Sequence, residues 1–166
     1  MVPLVFDSPH SGREFPADFD AVVTQAELRQ AEDCYVDELY AAAGELGAPL
    51  LAAAFPRTYV DPNRHAGDVD LDLIEGAWPW EYSPSGKASI GKALVWRTLE
   101  DGRPIYSRKL KPEIIRRRIE RCHVPYHQAL KEHLDAAYRR FGRVLHINCH
   151  SMRSVGSKNS YSGLGT

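Results

Sequence analysis

The sequence is short of cysteine, of long apolar runs and of net charge, and each shortage excludes a class of protein. Three cysteines among 166 residues are too few and too widely spaced for a disulfide framework or a structural zinc knuckle, which indicates a reducing, cytoplasmic setting. No segment approaches the roughly 20 apolar residues of a membrane helix, and no basic and apolar leader opens the chain. A net charge of -1 gives no field that would attract nucleic acid. We therefore expect a small-molecule partner, with no nucleic acid and no membrane, and the oligomeric state stays open.

The apolar residues are numerous enough for one core. A hydrophobic content of 43% leads us to treat residues 1–166 as a single domain. Short apolar runs at 2–7, 48–55 and 143–148 predict buried strands. Most of the prolines and glycines lie between 56 and 103, so this middle part is expected to form loops and a hairpin.

Two stretches carry apolar residues at helical spacing. The first, at 24–46, begins with Thr24 and Glu27 at the spacing of a capping box. The second, at 112–141, contains Pro125, which should kink or divide it. Strands that alternate with helices predict an α/β fold, with a mixed, mostly parallel sheet covered by helices on both faces.

Two histidines follow predicted strands in the same context. His10 lies in "VFDSPHSG" and His150 in "VLHINCHSM", each directly after an apolar run. Ligands of open α/β sheets gather beyond the carboxyl ends of the strands. A single histidine there is usually a packed or surface residue, but two in one context favour a metal site, which would require a carboxylate as a third ligand.

The acidic candidates lie close to the first histidine in sequence. Asp33 and Asp37, in "EDCYVDELY", are four residues apart and would share one face of the predicted helix. Glu14 is the alternative. Each of the three taken alone is more readily explained as a solvated charge, and only the combination with the two histidines favours Asp33 as the ligand.

Two arginines are candidates for binding a carboxylate. Arg64 follows Asp-Pro-Asn in "YVDPNR", a turn in which Asn63 precedes it, and its planar guanidinium matches a carboxylate with two hydrogen bonds. Arg118 lies on the inward side of the second helix, where an arginine needs an anionic partner, either a structural acid or a substrate.

The second helix also carries a pair of histidines and a basic run. His123 and His127 are one turn apart, but no glutamate stands beside His123, so the zinc-protease pattern is absent. Packing or hydrogen bonding around the substrate is the interpretation we prefer for His127. The run "RRRIER" is interrupted by the apolar stripe, which indicates a solvated helix face.

The segments "SPHSG", "DCYVDELY", "YVDPNR", "RRRIERCHVPYHQAL" and "CHSM", in that order, resemble the N-formylglutamate amidohydrolase family over nearly the whole chain. The resemblance implies a phosphorylase/hydrolase-like fold similar to that of the zinc carboxypeptidases and aspartoacylases. It also implies a zinc-dependent hydrolase of N-acyl amino acids, most typically of N-formylglutamate, in amino-acid degradation.

The resemblance further implies roles for individual residues. His10, Asp33 and His150 would hold Zn²⁺, and Glu14 or Asp37 would move the proton. The substrate-binding group would comprise four residues: Asn63, Arg64, Arg118 and His127.

The chain departs from the family at its end. Known members continue beyond the "HSM" turn and carry a late glutamate that serves as general base, whereas this sequence stops at Thr166 after a Gly- and Ser-rich stretch that suits a flexible end. The expected alternatives are a shortened homologue or a fragment of a longer protein. Two other functions remain open: a catalytically silent relative that serves as a binding domain, and a related metal-dependent peptidase or deacylase.

Overall fold

Three parallel strands form the sheet of the computed structural model, which describes residues 1–152; the Gly- and Ser-rich stretch at 153–166 lies outside the described residues. Strand β1 spans Leu4–Ser8, β2 spans Leu50–Ala52 and β3 spans Leu145–Asn148. All three lie within or beside the predicted runs, and in the described residues their order is β2-β1-β3.

The register brings the carboxyl ends of the strands together. β1 is central: Phe6 pairs with Leu50 on one side and with Ile147 on the other. Because all pairs are parallel, the residues that follow β1 and β3 leave the sheet at the same edge. The two predicted histidine turns therefore lie side by side.

The first predicted helix is wrong as a continuous element. The structure has only one-turn helices there, α1 at Gln25–Leu28 and α2 at Val36–Leu39, with 3-10 turns at Arg29–Ala31 and Ala41–Ala43. The capping box at the start of α1 is present as predicted. The interruption falls at Tyr35, whose φ of 63° is left-handed and incompatible with a continuing right-handed helix.

The second predicted helix is confirmed, with a change of pitch in its middle. Helix α3 spans Pro112–Arg118 and α4 spans Val124–Phe141, joined by a π-helical turn at Ile119–His123. Pro125 has no N–H to donate and its ring crowds the carbonyl one turn earlier, so a wider turn before it keeps the helix running without a break.

Both faces of the sheet are covered, but unequally. Val5 packs with Leu130 and Ala137 of α4 on one face. On the other face, the ring of Phe6 lies 5.7 Å from that of Tyr40, which directly follows α2. Successive residues of a strand point to opposite faces, which places α4 and the short α2 segment on opposite sides of β1.

The larger hydrophobic cluster lies in the irregular middle part of the chain. It joins residues between Tyr59 and Leu110 to Ile115 and Ile119 of the long helix. The predicted hairpin is present near its end, where Leu99 N–H donates to the Arg103 carbonyl. No helix among residues 1–152 is both long and apolar enough to cross a bilayer.

Candidate active site

His10, Asp33 and His150 converge at the carboxyl ends of β1 and β3. One possible ligand atom from each residue lies within 4.8 Å of the others. Oδ2 of Asp33 is 3.4 Å from Nδ1 of His10 and 2.9 Å from Nδ1 of His150. A tetrahedral zinc ion separates its nitrogen and oxygen ligands by roughly 3 to 3.5 Å, so both distances suit a shared ion.

Asp33 reaches this position because the chain turns there instead of forming a helix. Its backbone N–H donates to the His10 carbonyl at 3.0 Å. Burial raises the pKa of the Asp33 carboxyl, but the imidazoles of His10 and His150 outweigh burial and hold that pKa well below its ordinary value. The carboxylate is therefore ionised and ready to ligate a cation.

His10 is oriented from behind by a buried acid. Its Nε2 lies 2.7 Å from Oδ1 of Asp61, which is fully buried. Oδ2 of Asp61 accepts a hydrogen bond from Arg57 at 2.9 Å. In the sequence, Asp61 was identified only as a turn former. Its place directly after Tyr59 and Val60 in "YVDPNR" could have indicated that it is buried. A carboxylate bound to one ring nitrogen leaves the other free to bind a metal ion.

His150 is held by amides. Its Nε2 contacts Oδ1 of Asn148 and lies 3.3 Å from Nδ2 of Asn63. The Asn148 amide in turn donates to both oxygens of buried Asp7 at 2.9 Å. Asp7 also accepts from Tyr126 of α4 at 2.6 Å. This network fixes the end of β3, and the sequence analysis identified neither Asp7 nor Asn148.

Within residues 1–152, neither predicted proton carrier is bonded to the cluster. Glu14 is exposed, and its carboxylate makes no hydrogen bond or ion pair within residues 1–152. Asp37 lies 3.5 Å from Arg13 in an ion pair. Asp33 and Asp37 do not share a helix face, because the left-handed Tyr35 lies between them.

Two histidines of the long helix fix the turn that carries Arg64. Nε2 of His123 donates to the Arg64 carbonyl, and Nε2 of His127 donates to the Pro62 carbonyl, both at 2.8 Å. Burial lowers the pKa of His123, which favours its neutral form. His127 therefore positions the turn that holds Asn63. In the same turn, Nε of Arg64 is buried without a hydrogen-bond partner.

Arg118 is held by the protein itself. It is 1% exposed and donates to Oη of Tyr106 at 2.6 Å and to the carbonyls of Tyr59 and Phe19 at 3.2 Å. Its guanidinium also lies 4.1 Å from the centre of the Tyr59 ring. A substrate carboxylate has no access to a side chain in this environment.

Comparison with known proteins agrees with the motifs. A family model described as N-formylglutamate amidohydrolase matches residues 2–164. The N-formylglutamate deformylases of Pseudomonas aeruginosa and Pseudomonas putida are 35% and 33% identical over 92% of this chain and 53% of their own length. The crystal structure of N-formylglutamate amidohydrolase from Ralstonia eutropha JMP134 is 50% identical, with a TM-score of 0.88, over 91% of this chain and 54% of that chain. The chain thus spans about half the length of these relatives, and it belongs to the N-formylglutamate amidohydrolase family.

Proposed function

We propose that this chain supplies the metal-binding and carboxylate-binding part of an enzyme that hydrolyses N-formylglutamate to formate and glutamate. The observation that carries the proposal is the convergence of His10, Asp33 and His150 beside Arg64. Membership of the N-formylglutamate amidohydrolase family, which includes the Pseudomonas aeruginosa N-formylglutamate deformylase, supports this substrate.

The donor set fits a zinc ion. Nδ1 of His10 is buried without a hydrogen-bond partner, although it faces a carboxylate oxygen. Two imidazoles and one carboxylate are a ligand set of catalytic zinc, which leaves one position for water or substrate. When bound there, zinc would lower the pKa of a water molecule and polarise the formyl carbonyl.

The chain's own residues then bind and orient the substrate. Arg64 presents its guanidinium beside the cluster, 3.9 Å from Oδ2 of Asp61, and would bind a substrate carboxylate. Asn63 contacts His150 and would keep its ring in place. Asp61 keeps the His10 ring oriented. Neither Glu14 nor Asp37 is bonded to the cluster, and we assign the proton transfer to no residue within 1–152.

The alternative is a relative that binds metal and substrate without turnover. General acid-base catalysis contributes roughly 10² to 10⁴ in rate, so its loss would remove activity and leave binding.

Metal content and formate release measured on the same purified protein test the proposal. We expect about one zinc ion per chain, loss of that ion in His150→Ala, and retention in His133→Ala, whose imidazole lies on α4 away from the cluster. Formate release from N-formyl-L-glutamate supports the hydrolase, whereas stoichiometric zinc without formate supports the binding protein. Zinc retained at full stoichiometry in His150→Ala would contradict the metal site.

A further inference from the structure

A cavity of about 380 Å³ is lined by Arg64 and by three further cations. These cations are Arg57, Lys87 and Lys92, and among residues 1–152 Glu100 is the one acidic residue that lines the cavity. Arg57 is already paired with Asp61. The remaining three cations exceed the single carboxylate, so the cavity favours an anionic ligand.

Lys92 is the unusual member of this group. The residue is 7% exposed, and within residues 1–152 no carboxylate forms an ion pair with it. Its ammonium donates to the Thr98 carbonyl and lies 4.2 Å from the centre of the Trp96 ring. Burial lowers the pKa of Lys92 to about 8. A buried ammonium has three donors, and the single carbonyl leaves two of them for a ligand.

Trp96 supplies a second unsatisfied donor in the same place. It is 3% exposed, and its indole N–H is buried without a hydrogen-bond partner. Buried indole N–H groups are normally paired, because leaving one unsatisfied costs free energy. The cavity is therefore lined by an ammonium with donors to spare and by a tryptophan whose buried indole N–H has no partner.

A series of side-chain contacts links the cavity to the His10, Asp33 and His150 cluster. The Arg57 guanidinium lies 4.9 Å from the Trp96 ring, on which Lys92 also packs. Arg57 donates to Asp61, which holds His10. These contacts connect His10 to the cavity through buried Asp61 and Arg57. Arg64 lines the cavity and lies 3.9 Å from Oδ2 of Asp61.

We propose that Lys92 and Trp96 form a subsite for the side-chain carboxylate of an N-acyl glutamate, while Arg64 binds the α-carboxylate. The inference rests on the proposed function and deepens it by naming the groups that select a dicarboxylic substrate. The α-carboxylate adjoins the scissile amide and belongs beside the cluster. The side-chain carboxylate lies at the opposite end of the substrate, and it would bind Lys92, which is farther from the cluster than Arg64.

Calorimetric binding of N-formyl-L-glutamate and N-formyl-L-glutamine to the metal-free protein tests the subsite, because the two have the same size but the side chain ends in a carboxylate in one and a neutral amide in the other. We expect the wild type to bind the glutamate compound about tenfold more tightly or better, as a charge-assisted contact requires. Lys92→Met should abolish this preference by weakening only the glutamate compound. Lys111→Met, at an exposed lysine outside the cavity, should keep it. Circular dichroism establishes that each variant is folded.

The outcomes separate the subsite from the hydrolase. A preference that persists in folded Lys92→Met, or a wild type without any preference, overturns the subsite. Selective binding that depends on Lys92, together with no formate release by the zinc-loaded protein, supports the subsite and contradicts the hydrolase.

Discussion

The buried side chain of Asp61 orients two other residues at this site, His10 and Arg57. Its two carboxylate oxygens serve different partners, His10 on the metal side and Arg57 on the cavity side. Burial raises the pKa of Asp61, but the hydrogen bond to His10 and the charge of Arg57 outweigh burial and hold that pKa far below its ordinary value. The lowered pKa favours the ionised form of Asp61, which contacts His10 with one oxygen and Arg57 with the other.

Under the proposed function, Arg64→Ala should lower kcat/KM for N-formyl-L-glutamate by about thirtyfold or more, or about 2 kcal/mol, because a substrate carboxylate would lose a charge-assisted pair of hydrogen bonds. Arg64→Lys should also lose activity, since an ammonium restores the charge without the planar fork. Steady-state kinetics measure both variants, with exposed Arg139→Ala as the control. Equal kcat/KM in the wild type and Arg64→Ala would show that Arg64 does not bind substrate.

Lys92 should also affect how stability depends on pH. Burial lowers its pKa from the ordinary 10.5 to about 8, an effect that nearby Arg57 reinforces and that Glu100 and Asp101 oppose. Below pH 8 both the folded and the unfolded states are protonated, and the fold bears the full cost of the buried charge. Between pH 8 and 10.5 the unfolded chain binds more protons, so this residue makes the free energy of unfolding rise with pH.

Urea unfolding from pH 7 to pH 10 measures this effect. Lys92→Met should be as stable as the wild type or more stable at pH 7, and its advantage should shrink as the pH rises, whereas Lys111→Met should track the wild type throughout. An advantage of Lys92→Met that stays constant with pH would contradict the lowered pKa.

Among the secondary-structure elements, the spacing of apolar residues predicted those whose structure depends mainly on packing against the core. The sequence indicated the positions of the three strands and of the helix at 112–141. The helix and β1 bury apolar residues, whereas β2 and β3, which were predicted as buried strands, are half-buried or exposed. The segment at 24–46 also has helical spacing, but the bond from Asp33 N–H to the His10 carbonyl replaces helical pairing there. That bond joins residues far apart in the chain, so no local pattern could indicate it.

The site residues differ in the same way in how far the sequence indicates them. His10 and His150 were predictable because each directly follows an apolar run, which marks the end of a strand. Asp61 and Lys92 were not, since their importance comes from burial against groups that the fold brings from elsewhere. The inward side of Arg118 was predicted correctly, but its partners are carbonyls, a hydroxyl and aromatic rings, which periodicity does not specify.

Gly142 ends α4 in the left-handed region, with φ of 68° and a hydrogen bond from its N–H to the Tyr138 carbonyl. Gly142→Ala should lower the free energy of unfolding by about 1 kcal/mol, because alanine disfavours positive φ although no atom would clash with its methyl group. Gly86→Ala is the control, since that glycine is also unobstructed and has no positive φ. Equal destabilisation of the two variants in urea would contradict the capping role.

For the whole molecule, the larger core depends on a buried cation. Arg118 ties the long helix to Tyr59, Tyr106 and Phe19, which all belong to the irregular part of the chain. Arg118→Met should cost about 2 to 4 kcal/mol of stability, because two carbonyls and a phenol would lose their buried donor. Neighbouring exposed Arg117→Met should cost less than about 0.5 kcal/mol. Thermal unfolding compares the two, and similar midpoints would show that Arg118 contributes little.

The pairing of β1 with β3 has a consequence for the order in which the molecule assembles. Asp7 and Asn148, which meet across these strands, are separated by 141 positions in the chain. Closing so long a loop is slow and entropically costly, so this contact forms late in folding. His10 is synthesised early, whereas His150 is synthesised only after nearly all of the described chain. The two histidines can therefore come together only at the end of synthesis. A metal ion bound by these residues would therefore stabilise the folded state after it has formed. It would slow unfolding and leave the folding rate unchanged.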